Sequence, residues 1–189
     1  KVLLEAVNLK SDDNSNIQVQ AKNGIDSLAV IDVSYKDVQT KSKDFLSSSL
    51  NRDMTYNEKV ISTNLNSKNI YLISENNNIN LEATNLNASG EKKAIIVNKN
   101  GDVNILAKEY KVGELHHSKK SSLGGLLKSE STYEKDHLKI KSSKINPSNT
   151  IIVANNLNIQ GTQLNTKDIK LDVNKVNLIS VNTQIKVEY

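Results

Sequence analysis

Three histidines are the side chains of this sequence best suited to metal binding or acid–base catalysis. His116 and His117 are adjacent, and His137 follows in the same region. Neighbouring residues of a strand point to opposite faces, whereas a closed zinc site needs four ligands that converge on one point. No acidic residue recurs beside them at ligand spacing. We therefore expect a solvated hairpin here, with no metal and no other cofactor.

Acidic residues near the start of the chain are the best candidates for catalytic carboxylates. Asp12 and Asp13 lie close in sequence to Asp26, and several acids on one stacked face are typical of β-helical polysaccharide lyases and hydrolases. The acids do not recur in the next copy of the repeat described below, so we expect them to serve turns. The chain has no Cys, which excludes disulfides and a thiolate nucleophile. We expect no enzyme; a β-helical carbohydrate-active enzyme is the alternative function.

Lysines supply most of the positive charge. Lys119 and Lys120, with Lys128, offer contacts for an anionic lipid or glycan, but the simpler interpretation is that they keep a sheet edge soluble. The net charge of +4 comes from lysines spread along the chain, and we expect no nucleic-acid partner. No apolar run is long enough to span a membrane.

The composition favours many short strands. Aromatic residues are only 4% of the chain, with no Trp and Phe45 as the single Phe. The interior must therefore be filled by Ile, Leu, Val and Ala, which suits a narrow, layered core. Asn is abundant and tolerates the backbone conformations of tight turns, so the sequence predicts an all-β fold of short strands between Asn-rich turns.

A long internal repeat organises these strands. The segment Leu4–Leu9 recurs as Leu81–Leu86 and, more weakly, as Ile159–Leu164, at spacings of 77 residues from Leu4 to Leu81 and 78 from Leu81 to Ile159. Asn23-Gly24 likewise returns as Asn100-Gly101. The chain thus holds about two and a half copies, which we place at 1–77, 78–155 and 156–189.

Short alternating runs within each copy predict a right-handed parallel β-helix, a solenoid that spans 1–189 in about seven to nine coils. Alternation directs one side chain into the bore and the next into solvent. The predicted bore residues are Leu4, Ile79, Leu81, Leu157, Ile159, Leu171 and Val173. Asn8 and Asn85 recur at one turn position, where we expect stacked amide side chains to bond in ladders.

Two segments, about 35–56 and 110–133, break the rhythm at equivalent places in the repeat. Each is bounded by Tyr and carries Lys and Ser around an apolar centre, and the second contains Gly124-Gly125, a hairpin signal. We expect β-hairpins or loops extruded from the coil, lying side by side, with apolar residues covered. Their candidate partner-binding ridge comprises Phe45, Leu46, His116, His117, Lys119, Lys120, Leu123 and Leu126.

The order of these motifs resembles the haemagglutinin repeat of filamentous-haemagglutinin-like exoproteins. The resemblance rests on two motifs. The first is a Tyr followed by a Lys/Ser-rich segment and a Gly-Leu turn, here Tyr110 to Leu126, and the second is short strands such as Asn156–Thr162. That family comprises two-partner-secreted adhesins and toxins of contact-dependent growth inhibition. The resemblance implies a structural or adhesive shaft serving cell adhesion or delivery of a C-terminal toxin.

The same resemblance implies where the protein works and what it meets. It implies secretion to the cell surface of a Gram-negative bacterium through an outer-membrane transporter partner, and a partner on a host or neighbouring cell. The first residues already alternate as a strand does, so we expect this chain to be part of a longer protein.

Overall fold

The structure is a computed structural model that describes residues 1–12, 14–88, 93–181 and 184–188, the last of these as backbone only. It is nearly all β: 80% of the described residues lie in strands. Among the described residues the longest helical piece is a 3₁₀ turn at Leu123–Gly125. The all-β class predicted from the sequence is confirmed.

Seventeen strands follow one another within the described residues. They are β1 (Val2–Glu5), β2 (Asn8–Lys10), β3 (Asn16–Leu28), β4 (Val30–Lys43), β5 (Ser47–Ile61), β6 (Asn64–Ser67), β7 (Asn69–Glu82), β8 (Asn85–Ala88), β9 (Lys93–Asn100), β10 (Val103–Leu106), β11 (Lys108–Ser122), β12 (Leu127–Lys141), β13 (Lys144–Ile145), β14 (Asn149–Gln160), β15 (Gln163–Leu164), β16 (Asp168–Ile179) and β17 (Gln184–Glu188).

These strands divide into two compact units. The first unit, called the coil unit below, comprises Lys1–Val30, Val60–Lys108 and Ile140–Val181. The second unit, called the hairpin sheet, comprises Ile31–Lys59, Glu109–Lys139 and strand β17. The two expected extruded segments fall in the hairpin sheet, which extends several residues beyond the predicted bounds of 35–56 and 110–133.

The coil unit is a parallel β-helix with three faces. On the first face, β1, the ends of β3 and β7, β10 and the ends of β14 and β16 pair in parallel. The second face stacks β2, β6, β8, β13 and β15. The third face stacks the starts of β3 and β7, then β9 and the starts of β14 and β16. The parallel, repeating coil predicted from the sequence is confirmed.

One sequence repeat corresponds to two coils. Stacked asparagines on the first face lie 24 residues apart from Asn80 to Asn104 and 54 apart from Asn104 to Asn158. The long interval contains a hairpin and the short one does not. The prediction of about seven to nine coils is therefore wrong, because hairpins consume part of the chain, and the described residues form six rungs on the first face.

The bore is filled by the aliphatic residues that alternate with polar ones. Leu4, Leu81 and Ile159 share one column of the register, two rungs apart. The side chains of Ile79, Leu81 and Leu157 are fully buried, Ile159 nearly so, and Leu4 and Val173 pack partly buried against them. Leu171 stands in the column of buried Ile152, as predicted, but it is 39% exposed because its strand, β16, is the last described rung and only β14 packs against it.

Tight corners join the first face to the second. Ala6, Ala83 and Gly161 occupy the same corner in three coils, with φ values of 48°, 43° and 55°. Small side chains suit this left-handed conformation. A side-chain hydroxyl supplies hydrogen bonds to the backbone at this corner. The Thr84 backbone N–H donates to Ser143 Oγ over 2.9 Å, and Ser143 Oγ donates to the Leu106 carbonyl over 2.7 Å. These bonds fix where each coil turns.

The hairpin sheet has five strands in the order β17-β12-β11-β5-β4. The two hairpins lie side by side, as predicted, because β5 and β11 pair antiparallel from Val112↔Asn57 to Ser122↔Ser47. Strand β17 adds to β12 from Glu134↔Glu188 to Leu138↔Gln184, so this stretch of the third copy joins the hairpin sheet and not the coil. No described residue of Ile31–Lys59 or Glu109–Lys139 is buried, so this sheet is a single layer.

Candidate functional site

The tips of the two hairpins form an exposed apolar cluster. Phe45 and Leu46 connect β4 to β5, while Leu123 and Leu126 flank the turn between β11 and β12. The Gly124 backbone N–H donates to the Leu46 carbonyl over 3.3 Å, which brings the two tips together. Phe45 is 98% exposed and Leu126 84%. The prediction that apolar neighbours cover these residues is therefore wrong.

The two tips turn by different means. In the second hairpin Gly124 and Gly125 take φ values of 63° and 101°, a conformation that glycine adopts without a steric penalty. The first hairpin has no glycine at its tip, and the Asp44 backbone N–H donates to the Ser47 carbonyl over 2.8 Å to close the turn. Both extruded segments are thus hairpins, as the sequence predicts.

A lysine-lined trough of about 520 Å³ lies next to the tips. Its lining includes Lys41, Lys43, Lys119, Lys120, Lys128 and several serines, with Leu50 and Glu130. Lys119 Nζ lies 2.9 Å from Glu130 Oε2, and the hydrogen bond from Lys119 holds the pKa of that carboxyl below its ordinary value. All five lysines are exposed, so the trough presents positive charge to solvent.

The adjacent histidines point to opposite faces of the hairpin sheet. His116 Nδ1 lies 2.7 Å from Asp53 Oδ1, and its ring stacks on Tyr133 with centroids 6.0 Å apart. His117 Nδ1 lies 2.9 Å from Thr132 Oγ1 instead. The described part of the chain holds no group of three or more His, Cys, Asp or Glu side chains placed to bind a metal ion. The two histidines thus face opposite ways, as expected for neighbouring residues of a strand.

A guanidinium–carboxylate pair that the sequence did not predict links β4 and β5, the two strands of the first hairpin. Arg52 Nε and Nη2 donate to the two carboxylate oxygens of Asp37 over 3.0 and 2.7 Å. The hydrogen bond from Arg52 is the main cause that lowers the pKa of Asp37. Only a hairpin register could have shown that the two side chains meet, because 15 residues separate them.

Of the acids considered for catalysis, Asp26 has structural side-chain contacts. Asp26 Oδ1 accepts from Asn80 Nδ2 over 2.6 Å, and Asp26 Oδ2 lies 2.5 Å from Lys1 Nζ. Burial acts to raise the pKa of Asp26, but the hydrogen bonds from Lys1 and Asn80 outweigh it and hold the pKa below 3.8. Asp12 is exposed in a turn, where its carbonyl accepts from the Ser15 backbone N–H. Asp13 lies outside the described residues.

Asparagine ladders run across the rungs, as predicted. On the second face Asn85 donates to Asn64 over 2.7 Å, and Asn66 donates to Asn8 over 3.4 Å. A longer ladder on that face joins Asn66, Asn87, Asn146 and Asn165 over 2.6 to 2.8 Å. Asn8 and Asn85 stand at the first positions of β2 and β8, so the ladder lies along strands and not at a turn.

Comparison of the chain with protein-family models, with curated proteins and with solved structures gave no match. Within the described residues there is no helix of the length and apolarity needed to cross a membrane.

Proposed function

We propose that this chain is a structural and adhesive shaft segment of a large secreted bacterial surface exoprotein. The observation that carries the proposal is the two-part repeat. Each of the first two copies contributes two rungs to the coil unit and one hairpin, hence two strands, to the hairpin sheet. A unit that extends two sheets by whole strands can be repeated in tandem, which is what a shaft requires.

The hairpin sheet supplies the adhesive part of the proposal. Its strands are a single layer with side chains accessible from both faces, and its tips carry unpartnered apolar side chains. Exposed apolar clusters rimmed by polar residues commonly mark interaction sites. The half-buried asparagine ladders and the buried aliphatic columns of the coil unit, by contrast, serve stability.

The resemblance to filamentous-haemagglutinin-like repeats adds a cellular location and binding partners to the proposal. It implies a protein that works at the surface of a Gram-negative bacterium after export through an outer-membrane transporter partner. The binding partner would be a component of a host or neighbouring cell, and the biological output would be adhesion or delivery of a C-terminal toxin.

Deletion of the second hairpin tests this proposal. Gly113 lies against Asp136, so replacing residues 113–136 by a short Gly linker joins strand ends that are already close. We expect the variant to keep its β-sheet circular dichroism and to lose binding of the labelled protein to intact cells. Unchanged cell binding would contradict the adhesive role, and collapse of all β-structure would contradict the appended character of the hairpin.

The alternative function, a β-helical carbohydrate-active enzyme, requires carboxylates free to act on a sugar. Asp26 is engaged by Lys1 and Asn80, which supports a structural role for it. We expect no cleavage of pectin or glycosaminoglycan substrates by the purified protein. Turnover that Asp26→Asn or Asp12→Asn abolishes would establish the enzyme instead.

A further inference from the structure

We propose that the tips of the hairpin sheet bind an anionic lipid bilayer by inserting their apolar side chains among the lipid headgroups. The inference names a ligand for the adhesive surface of the proposed function, and the experiment below separates the two. It rests on a tip cluster, defined as Phe45, Leu46, Leu123, Leu126 and Leu127, and on a lysine collar, defined as Lys41, Lys43, Lys119, Lys120 and Lys128.

The tip cluster consists of large apolar side chains that all face solvent. Every one of its five members is an exposed large hydrophobic residue. They occupy two adjacent hairpin ends held together by the bond from Gly124 to Leu46. Such a cluster is costly in water and gains free energy when it enters an apolar phase. A small loop end can enter the boundary of headgroups and acyl chains without spanning the bilayer.

The lysine collar lies immediately behind this cluster. Lys43 and Lys128 are one or two residues from tip residues in the chain, and Lys41 is four residues from Phe45. At about 3.4 Å per strand residue, the collar occupies a band up to about 14 Å behind the tip. A lysine in that band can lay its aliphatic stem along the apolar surface and hold its ammonium among headgroup phosphates.

The charge balance of this region favours an anionic surface. Residues 41–50 and 119–130 contain the five collar lysines against two acids, Asp44 and Glu130. Glu130 is already engaged by Lys119, and the four other collar lysines have no acidic partner among the described residues. Basic residues beside a membrane are attracted to its negative lipids.

A second copy of the chain is the competing occupant, and the same charges oppose it. A symmetric contact through the tips would bring the two collars against each other. Like charges placed together across an interface disfavour association. An anionic bilayer offers an apolar phase to the tip cluster and negative charge to the lysine collar. A second copy offers apolar contacts to the tip cluster only.

Vesicle flotation of the full chain tests the proposal. The probes are vesicles of equal parts phosphatidylcholine and phosphatidylglycerol, compared with phosphatidylcholine alone. We expect the protein to float with the anionic vesicles only, and high salt to release it because mobile ions screen the attraction. Equal binding to both vesicles, or to neither, would overturn the inference.

Two variants separate the cluster from the collar. Phe45→Ser with Leu126→Ser should abolish flotation, whereas the control Val33→Ser with Leu178→Ser, which removes two exposed apolar side chains elsewhere, should float like the wild type. Replacing Lys41, Lys43 and Lys128 by Gln should weaken binding at least about tenfold, since each lysine near the surface contributes about fivefold. The matched control replaces the exposed Lys10, Lys22 and Lys99 by Gln and should change it little.

A fluorescence measurement reports insertion directly. The chain contains no Trp, so Phe45→Trp introduces a single reporter at the tip. Its emission should shift to shorter wavelength with anionic vesicles, and that of Val33→Trp should not. An unshifted Phe45→Trp emission would overturn insertion. Concentration-dependent dimerisation that the tip variant abolishes, without any flotation, would assign the cluster to a second copy instead.

Cell binding distinguishes failure of this inference from failure of the proposed function. Cell binding that persists in the Phe45→Ser, Leu126→Ser variant would leave the adhesive function standing and remove lipid as its ligand. Vesicle binding by a protein that does not bind cells would support the lipid ligand and remove the adhesive function.

Discussion

Asn80 donates its side-chain amide to the carboxylate of Asp26 over 2.6 Å, although 54 residues separate the two in the chain. The same bond continues from rung to rung. Asn104 donates to Asn80, Asn158 to Asn104 and Asn177 to Asn158, over 2.6 to 2.7 Å. The first face is therefore held by a side-chain ladder in addition to its backbone bonds, with Asp26 as its terminal acceptor.

Breaking this ladder in the middle should destabilise the coil unit. Asn104→Leu removes one donor and one acceptor, and leaves the half-buried Asn80 Oδ1 without its donor and Asn158 Nδ2 without its acceptor. We expect a loss of about 1–3 kcal/mol in the free energy of unfolding, measured by denaturant titration. Asn155→Leu is the control, because Asn155 is exposed and its side chain is outside the ladder. Equal losses in the two variants would show that the ladder contributes nothing specific.

A gap in another ladder can be filled. Asn85 Oδ1 is buried and has no hydrogen-bond partner among the described residues, because the next rung places Lys144 and not Asn beside it. Lys144→Asn should donate to that oxygen and raise the melting temperature, with a gain of about 1 kcal/mol. Lys144→Ala removes the lysine without supplying a donor. A gain of the same size in Lys144→Ala would contradict the ladder explanation.

Leu81 lies in the centre of the bore and should not tolerate charge. It is fully buried, so Leu81→Asp places an unpaired carboxylate between stacked rungs and should cost several kcal/mol, about 3 or more. The control is Leu178→Asp in the same column, because Leu178 is 75% exposed on the last described rung. Thermal unfolding followed by circular dichroism compares them, and an unchanged midpoint for Leu81→Asp would refute the register.

Gly101 marks a close approach of two backbones. A Cβ atom at this position would lie within 2.3 Å of the Asn77 carbonyl oxygen, and its φ is not in the left-handed region. Gly101→Ala should therefore destabilise by about 1–3 kcal/mol through steric overlap. Gly124→Ala meets no atom within 4 Å and carries only the penalty of φ 63°, about 1 kcal/mol. Chemical denaturation measures the loss in the free energy of unfolding for each variant. The ratio of the two losses distinguishes steric overlap at Gly101 from the backbone penalty at Gly124.

Acid should weaken the first-face ladder through Asp26. The pKa of Asp26 is held below its ordinary value of 3.8 in the folded protein. A depressed folded-state pKa contributes stability that is present above the unfolded pKa and is lost as pH falls through the folded one. Asp26→Asn keeps an acceptor for Asn80 but cannot titrate. The stability advantage of wild type over this variant should shrink between about pH 6 and about pH 2. A constant difference across that range would show that Asp26 does not contribute this way.

The periodic parts of the fold were predictable because they depend on local chemistry. The alternation in Ile79–Ala83 places Leu81 inward whatever the tertiary structure, since side chains of a strand alternate between faces. The recurrence of Leu4 at Leu81 and Ile159 required those residues to be equivalent. The glycines of the second tip and the Tyr-bounded Lys/Ser segments likewise indicated hairpins.

The tertiary structure decided what depends on register between distant strands. The length of the sequence repeat could not show that one copy makes two coils. A repeat of the same length could also make more coils and no hairpin, because the count does not tell which residues form the hairpin. The alternation of a strand already put His116 and His117 on opposite faces, but only strand pairing decided their partners, Asp53 and Thr132. The sequence also predicted cover for Phe45, but the single-layer sheet leaves that ring in solvent, since nothing among the described residues packs over it.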